Sequence, residues 1–207
     1  MLTFSAGAVN AWGFLSLGGV FTSVVTANSA LIGIGLGGAD PTLGGLAAVA
    51  VLCYVLGAAG AGAAGHPHRG GRPHRADFLL LELLLLWAVV GWWLAVDGDP
   101  SGGERTAMLG TVAAAMGCQN AGVRLAMGAQ MPTAYLTGLL TGAVTEAVTD
   151  RRIQWRVLGT TALLILGAAA ASLLERLLPG AAPLLPALLV TAAWLTVHAR
   201  TGARRAS

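Results

Sequence analysis

Residues 77–96 read Asp-Phe-Leu-Leu-Leu-Glu-Leu-Leu-Leu-Leu-Trp-Ala-Val-Val-Gly-Trp-Trp-Leu-Ala-Val. Past Asp77, this run carries a single charged side chain, Glu82. About 20 mostly apolar residues are what an α-helix needs to cross the hydrocarbon core of a bilayer. Working outward, four more stretches approach that length: 2–20, 43–65, 106–123 and 157–174. A sixth, 181–197, is slightly shorter, and two further segments, 24–37 and 133–149, are shorter still and rich in Thr, Ser, Asn and Gly. The whole chain of 207 residues is 56% hydrophobic and 10% charged, against about 25% charged in soluble domains. A soluble fold of this size cannot hide so much apolar surface. The reading is an all-α integral membrane protein.

Basic residues concentrate in short cytoplasmic loops, and every basic side chain counted in the +3 net charge is an arginine. Arg69, Arg72 and Arg75 lie in loop 66–76, Arg151, Arg152 and Arg156 at 150–156, and Arg200, Arg204 and Arg205 in the tail. These regions are expected inside, whereas Asp40 in loop 38–42 and Asp97, Asp99 and Glu104 in loop 97–104 mark the outside. Trp92 and Trp93 suit an outer interfacial anchor and Trp155 an inner one. The N-terminus lacks the basic region of a cleavable signal. A multi-pass protein of the inner membrane with both termini cytoplasmic follows.

The chain then lies outside near residue 104 and inside by 151, so 106–123 and 133–149 together make an odd number of crossings. One segment is re-entrant, or the two form one broken crossing; segments 2–20 and 24–37 face the same count. A repeat explains the parallel. Ala-Gly-Ala-Val-Asn-Ala at 6–11 answers Met-Gly-Cys-Gln-Asn-Ala at 116–121. Asn10 matches Asn120 and Gly18 matches Gly128, 110 positions apart, and Thr26 matches Thr137 after one insertion. The spans that follow each copy run in opposite directions. Six crossings as two inverted three-crossing repeats, 1–97 and 98–207 with a short basic tail, place a transport site near the bilayer midplane at the repeat interface.

Irregular backbone at membrane depth is tolerated where it lines a wet cavity or is buried in protein. Asn10, Asn28, Gln119 and Asn120 are amides inside apolar helix pairs and need partners. Thr133, Thr137, Thr141, Thr145 and Thr149 recur every four residues along one helical stripe, able to face a solute or to bond their own carbonyls. Gly33-x-x-x-Gly37 and Gly138-x-x-x-Gly142 are close-packing patterns. Arg124, Glu146 and Glu82 are ionisable groups near membrane depth, each a site residue or a structural one. Cys53 and Cys118 read as small buried hydrophobes, and His66, His68 and His74 as solvated loop residues. No nucleotide loop, nucleophile elbow, metal cluster or catalytic carboxylate pair is present, so no enzyme, cofactor, metal or nucleic-acid partner is expected.

Ala6-Gly7-Ala8-Val9-Asn10-Ala11, Phe14-Leu15-Ser16-Leu17-Gly18-Gly19-Val20-Phe21-Thr22-Ser23, Met116-Gly117-Cys118-Gln119-Asn120-Ala121 with Arg124, and Leu136-Thr137-Gly138 together resemble the YoaK family of bacterial membrane proteins, a domain of unknown function. The resemblance covers nearly the whole chain. That family usually shows Val-Asp-Ala where this chain has Val9-Asn10-Ala11, and Thr-Gly-Asn where it has Thr26-Ala27-Asn28. Without an acid at position 10, the most obvious proton-coupling carboxylate is missing.

The sequence therefore points to a transporter or channel for a small polar or anionic solute, its path lined by Asn10, Thr26, Asn28, Gln119, Asn120, Arg124 and Thr137. The alternative is a non-transporting membrane protein that binds lipid or a partner protein. The expected surroundings are the lipid bilayer, the solute and a possible second copy of the chain.

Overall fold

The computed structural model describes residues 1–64, 77–127, 136–178 and 180–206. Among them the chain is all helical: α1 Leu2–Ser16, α2 Val25–Leu36, α3 Pro41–Ala64, α4 Asp77–Ala95, α5 Gly102–Met127, α6 Leu136–Thr149, α7 Trp155–Leu177 and α8 Leu184–Ala206. Pro41–Ala63, Phe78–Ala95 and Trp155–Leu177 are long and apolar enough to cross a membrane. The chain is thus a membrane-type helical protein. Leu52 and Leu56 of α3, Leu84 of α4 and Ile165, Leu166 and Leu173 of α7 are exposed, as helices facing hydrocarbon require.

Most segments fall where hydropathy puts them, but the expected span 2–20 stops early. Leu17 closes α1, and Gly18 and Gly19 follow at φ +112° and +76°, values that glycine adopts without steric cost. The chain then doubles back along the last turns of α1: Phe21 stacks on Phe14 with ring centres 4.9 Å apart, and Ser23 bonds Asn10. From there α2 sets off afresh. At 15 residues, α1 is about 22 Å long, short of the hydrocarbon thickness of about 30 Å. The re-entrant or broken stretch expected between 106–123 and 133–149 falls at 128–135 outside the described residues, as do His66, His68 and His74.

Three helix pairs meet at backbone distance: α1 with α7, α3 with α5, and α2 with α3. A Cβ added at Gly7 would overlap the Leu164 carbonyl, and one at Gly167 the Phe4 carbonyl. Likewise a Cβ at Gly117 would overlap the Tyr54 carbonyl, and one at Gly57 the Ala114 carbonyl. Small residues let helices approach this closely in lipid, where apolar burial alone does not drive association. Of the Gly-x-x-x-Gly patterns, Gly33 and Gly142 face open space, while Gly35 meets Gly44 between α2 and α3.

Helices α4 and α5 form an antiparallel hairpin, since Trp92 Nε1 donates to Glu104 Oε1 at 3.4 Å at one end and Phe78 meets Gly122 at the other. Ser101 caps α5: its hydroxyl donates to Glu104 Oε2 at 2.7 Å, as does its backbone N–H at 2.9 Å. Reciprocally the Glu104 N–H donates to Ser101 Oγ at 3.5 Å, which completes a capping box. Trp93, expected at the interface, is instead core: it is 3% exposed and packs edge-on against Trp12, ring centres 5.3 Å apart. Trp155 is exposed, as an interfacial anchor would be.

Candidate functional site

Asn10 sits in the middle of α1, buried, one turn after Ala6. Its Nδ2 donates to the Ala6 carbonyl at 2.9 Å and to Ser23 Oγ at 2.7 Å. Its Oδ1 accepts from the Ser23 N–H at 3.1 Å and from Thr22 Oγ1 at 3.2 Å. An amide has two donors and about two acceptor positions, so all are occupied. Asn28 holds the same returning segment from the other side: its Oδ1 accepts from the Phe21 N–H at 3.1 Å and its Nδ2 donates to the Phe21 carbonyl. Two amides therefore satisfy the backbone freed by the break. Unpaired, those groups would each cost several kcal/mol at membrane depth, on the order given for buried polar groups.

Beside this break lies a cavity of about 530 Å³. Its polar wall is Asn10, Ser23, Thr26, Tyr54, Thr137 and Ser172, and Phe14, Phe21 and Leu164 supply apolar wall. No charged side chain lines it among the described residues. Elements from both halves of the chain contribute: α1, the break, the start of α2 and Tyr54 of α3 from the first, the start of α6 and the middle of α7 from the second.

Of the seven residues expected along the path, Asn10, Thr26 and Thr137 meet at this cavity. Asn120 adjoins it, donating through Nδ2 to the Tyr54 hydroxyl at 3.0 Å. Asn28 is 1% exposed and turned to Phe21. Gln119 points elsewhere, donating to Glu82 Oε1 on α4 at 2.6 Å, and Arg124 is exposed outside the cavity. Glu146 is exposed and accepts from Gln154 Nε2 at 2.6 Å, a partner other than Arg124. The threonine stripe of α6 bonds its own helix: Thr141, Thr145 and Thr149 donate to the carbonyls of Thr137, Thr141 and Thr145.

Glu82 is fully buried, with Oε2 unpartnered. Cys118 is buried, Cys53 half-buried, and both are free thiols. Tyr54 and Ser172 complete the cavity wall yet do not stand out in the sequence, because neither belongs to a periodic polar stripe in its mostly apolar span. Their one signal is position: residues 54 and 172 lie on the helices that meet α5 and α1 through glycine. Among the described residues, no three His, Cys, Asp or Glu side chains gather into a metal-binding group.

No curated protein and no solved structure matches the chain. A family model described as protein of unknown function (DUF1275) matches residues 1–197, in keeping with the YoaK-like resemblance of the motifs above, and the chain belongs to that family.

Proposed function

We propose that the chain is a six-crossing transporter or channel of the inner membrane, built as two inverted repeats, with its solute site in the cavity between them. The observation that carries this reading is a cavity walled by both halves, mostly apolar but set with six polar side chains, beside a doubled-back helix pair. Discontinuous helices flanking a midplane site at a repeat interface are the transporter arrangement.

The close contacts support the repeat. Adding 110 to one partner and subtracting 110 from the other turns the Gly7–Leu164 contact into Gly117–Tyr54, and Phe4–Gly167 into Ala114–Gly57. Such an exchange is what a pseudo-twofold axis produces. Opposed orientation of the halves has support too: α4 and α5 are antiparallel, while the C-terminal parts of α1 and α4 meet at Trp12 and Trp93. Both termini are then cytoplasmic. A cysteine introduced at Asp99 should label with an impermeant thiol reagent in intact cells, and labelling at Arg72→Cys instead would invert the topology.

The amide, hydroxyl and phenol groups set in this wall favour an uncharged polar solute over an anion, because they offer hydrogen bonds and the described residues add no counter-charge. Uptake into proteoliposomes should be measured over neutral polyols, amides and zwitterionic amino acids, with carboxylates and inorganic anions alongside. Thr26→Trp, which fills the cavity mouth, should reduce uptake of the transported solute at least tenfold, and Arg124→Gln should leave it unchanged. Uptake of an anion that depends on Arg124 would replace the uncharged-solute reading. Unaltered uptake by a well-folded Thr26→Trp variant would remove the cavity from the path.

A further inference from the structure

Glu82 lies in the membrane-spanning stretch of α4 and is 0% exposed. Four residues after Phe78, it sits about 6 Å along the helix axis from the start of that stretch. Its Oε1 accepts one hydrogen bond, from Gln119 Nε2 at 2.6 Å. Its Oε2 has no partner, and neither does Gln119 Oε1, on a side chain that is also 0% exposed. As a carboxylate, Glu82 would therefore be a buried charge held by one hydrogen bond, with two oxygen acceptors left unsatisfied across the α4–α5 contact. Burying an unpaired charge in this way is prohibitive.

One proton removes both deficits. On Oε2 it turns the carboxylate into a neutral acid whose O–H is a donor, and Gln119 Oε1 is the acceptor that lacks one. The acid and the amide then pair head to head: amide N–H to acid carbonyl, acid O–H to amide carbonyl. We propose that Glu82 and Gln119 form an intramembrane proton-binding site that latches α4 to α5. Loading takes one proton from water onto Oε2; release returns it and leaves two acceptors in opposition, which loosens the latch.

The titratable groups on the neighbouring helices have other partners. From α5, the Cys118 thiol donates to the Phe78 carbonyl at 3.4 Å. From α3, Cys53 lies against Gly110 and Tyr54 bonds Asn120. From α8, His198 stacks on Trp194. No basic side chain among the described residues bonds Glu82. Gln119 neighbours Asn120, whose amide holds the Tyr54 hydroxyl at the cavity wall, so the latch sits one residue from the proposed solute site. That link rests on the transport reading, whereas the proton site stands without it.

Infrared spectroscopy of the full-length protein in lipid nanodiscs tests the site without any solute. At neutral pH the wild type should show the carbonyl stretch of a protonated carboxyl, absent from Glu82→Gln, which is isosteric with the neutral acid and should fold. Gln119→Leu should shift that band, since the acid loses its partner. Should either variant fail to fold, Glu104→Gln/Glu146→Gln/Glu175→Gln leaves Glu82 as the sole glutamate, and carbon-13 labelling of glutamate should then move the band. A neutral-pH spectrum with no protonated-carboxyl band, or one that labelling does not move, overturns the proton site. A band that ignores Gln119→Leu overturns the pairing. Loss of the band together with intact proteoliposome uptake would leave transport standing alone.

Discussion

Helices α1 and α5 carry matching sequences, at 6–11 and 116–121, and use their asparagines in different ways. Asn10 turns inward on its own segment and is consumed in holding the returning chain at Thr22 and Ser23. Asn120 reaches across to another helix and holds Tyr54. What the two helices keep in common is the glycine contact a turn earlier, Gly7 on α7 and Gly117 on α3. Helix packing is thus shared between the halves, while the polar chemistry has diverged.

The largest effect should come from the shared feature. Gly7→Ala and Gly117→Ala both push a methyl into a carbonyl oxygen of a packed backbone, and each should cost about 3 kcal/mol or more, at the upper end for overpacking. Melting in detergent, followed by scanning fluorimetry, should show similar losses for the two and none for Gly60→Ala, which faces open space. A tolerated substitution at one site alone would end the equivalence of the halves.

The asparagines should then separate. Asn10→Ala leaves the partly buried Ser23 N–H and the buried Thr22 hydroxyl without their acceptor and should cost about 2–3 kcal/mol, whereas Tyr54→Phe, which removes the bond to Asn120, should cost about 1 kcal/mol, a typical single hydrogen bond. Equal losses in the same melting assay would contradict the division of roles. Asn10→Asp is a finer probe. The Ser23 N–H and Thr22 hydroxyl can still donate to it, and the Ser23 hydroxyl can rotate to do so, so that the hydrogen bond to the Ala6 carbonyl alone is forfeited. A carboxylate oxygen then opposes the Ala6 carbonyl, so a cost of about 1–3 kcal/mol is expected.

The smallest effect lies at the α5 cap. Hydrogen bonds from the Ser101 hydroxyl and backbone N–H, and from Trp92, hold the Glu104 carboxyl below its usual range. A carboxyl with a lowered folded value contributes stability that is fully present above its ordinary titration range. That contribution is lost as pH falls through the lowered folded value. The melting temperature of wild type should therefore fall toward that of Glu104→Gln on acidification and exceed it slightly at neutral pH. Parallel profiles at all pH values would remove the cap from the stability of α5.

Hydropathy made the long helices legible because an apolar run has one outlet in a chain this size, and Pro41–Ala63, Phe78–Ala95 and Trp155–Leu177 differ from the expected spans by a few residues. The turn at Gly18 and Gly19 was legible as a break but not in shape, because doubling back depends on partners 10 and 28 rather than on local propensity. At the site, Asn10, Thr26 and Thr137 came out of the repeat. Arg124 and Gln119 were grouped with them by proximity in sequence, yet a helix turns them to different faces: 119 toward α4, 120 toward α3. Tyr54 and Ser172 were hidden because neither belongs to a periodic polar stripe. Trp93 was misplaced because an aromatic pair near a helix end suits a bilayer interface and a core equally well.

The glycine contacts bear on ancestry and assembly. Across the two halves α1 packs on α7 and α5 on α3 through matching glycines, whereas the Gly35–Gly44 contact of α2 and α3 lies within the first half. Fragments 1–97 and 98–207, made separately, would each present an unfilled glycine groove and should accumulate only when coexpressed. On the inverted-repeat reading, one such half inserted in both orientations could bury the same grooves against a copy of itself. Gene duplication and fusion would then have turned a dimer interface into the interior of a single chain, freeing its two asparagines to take separate tasks.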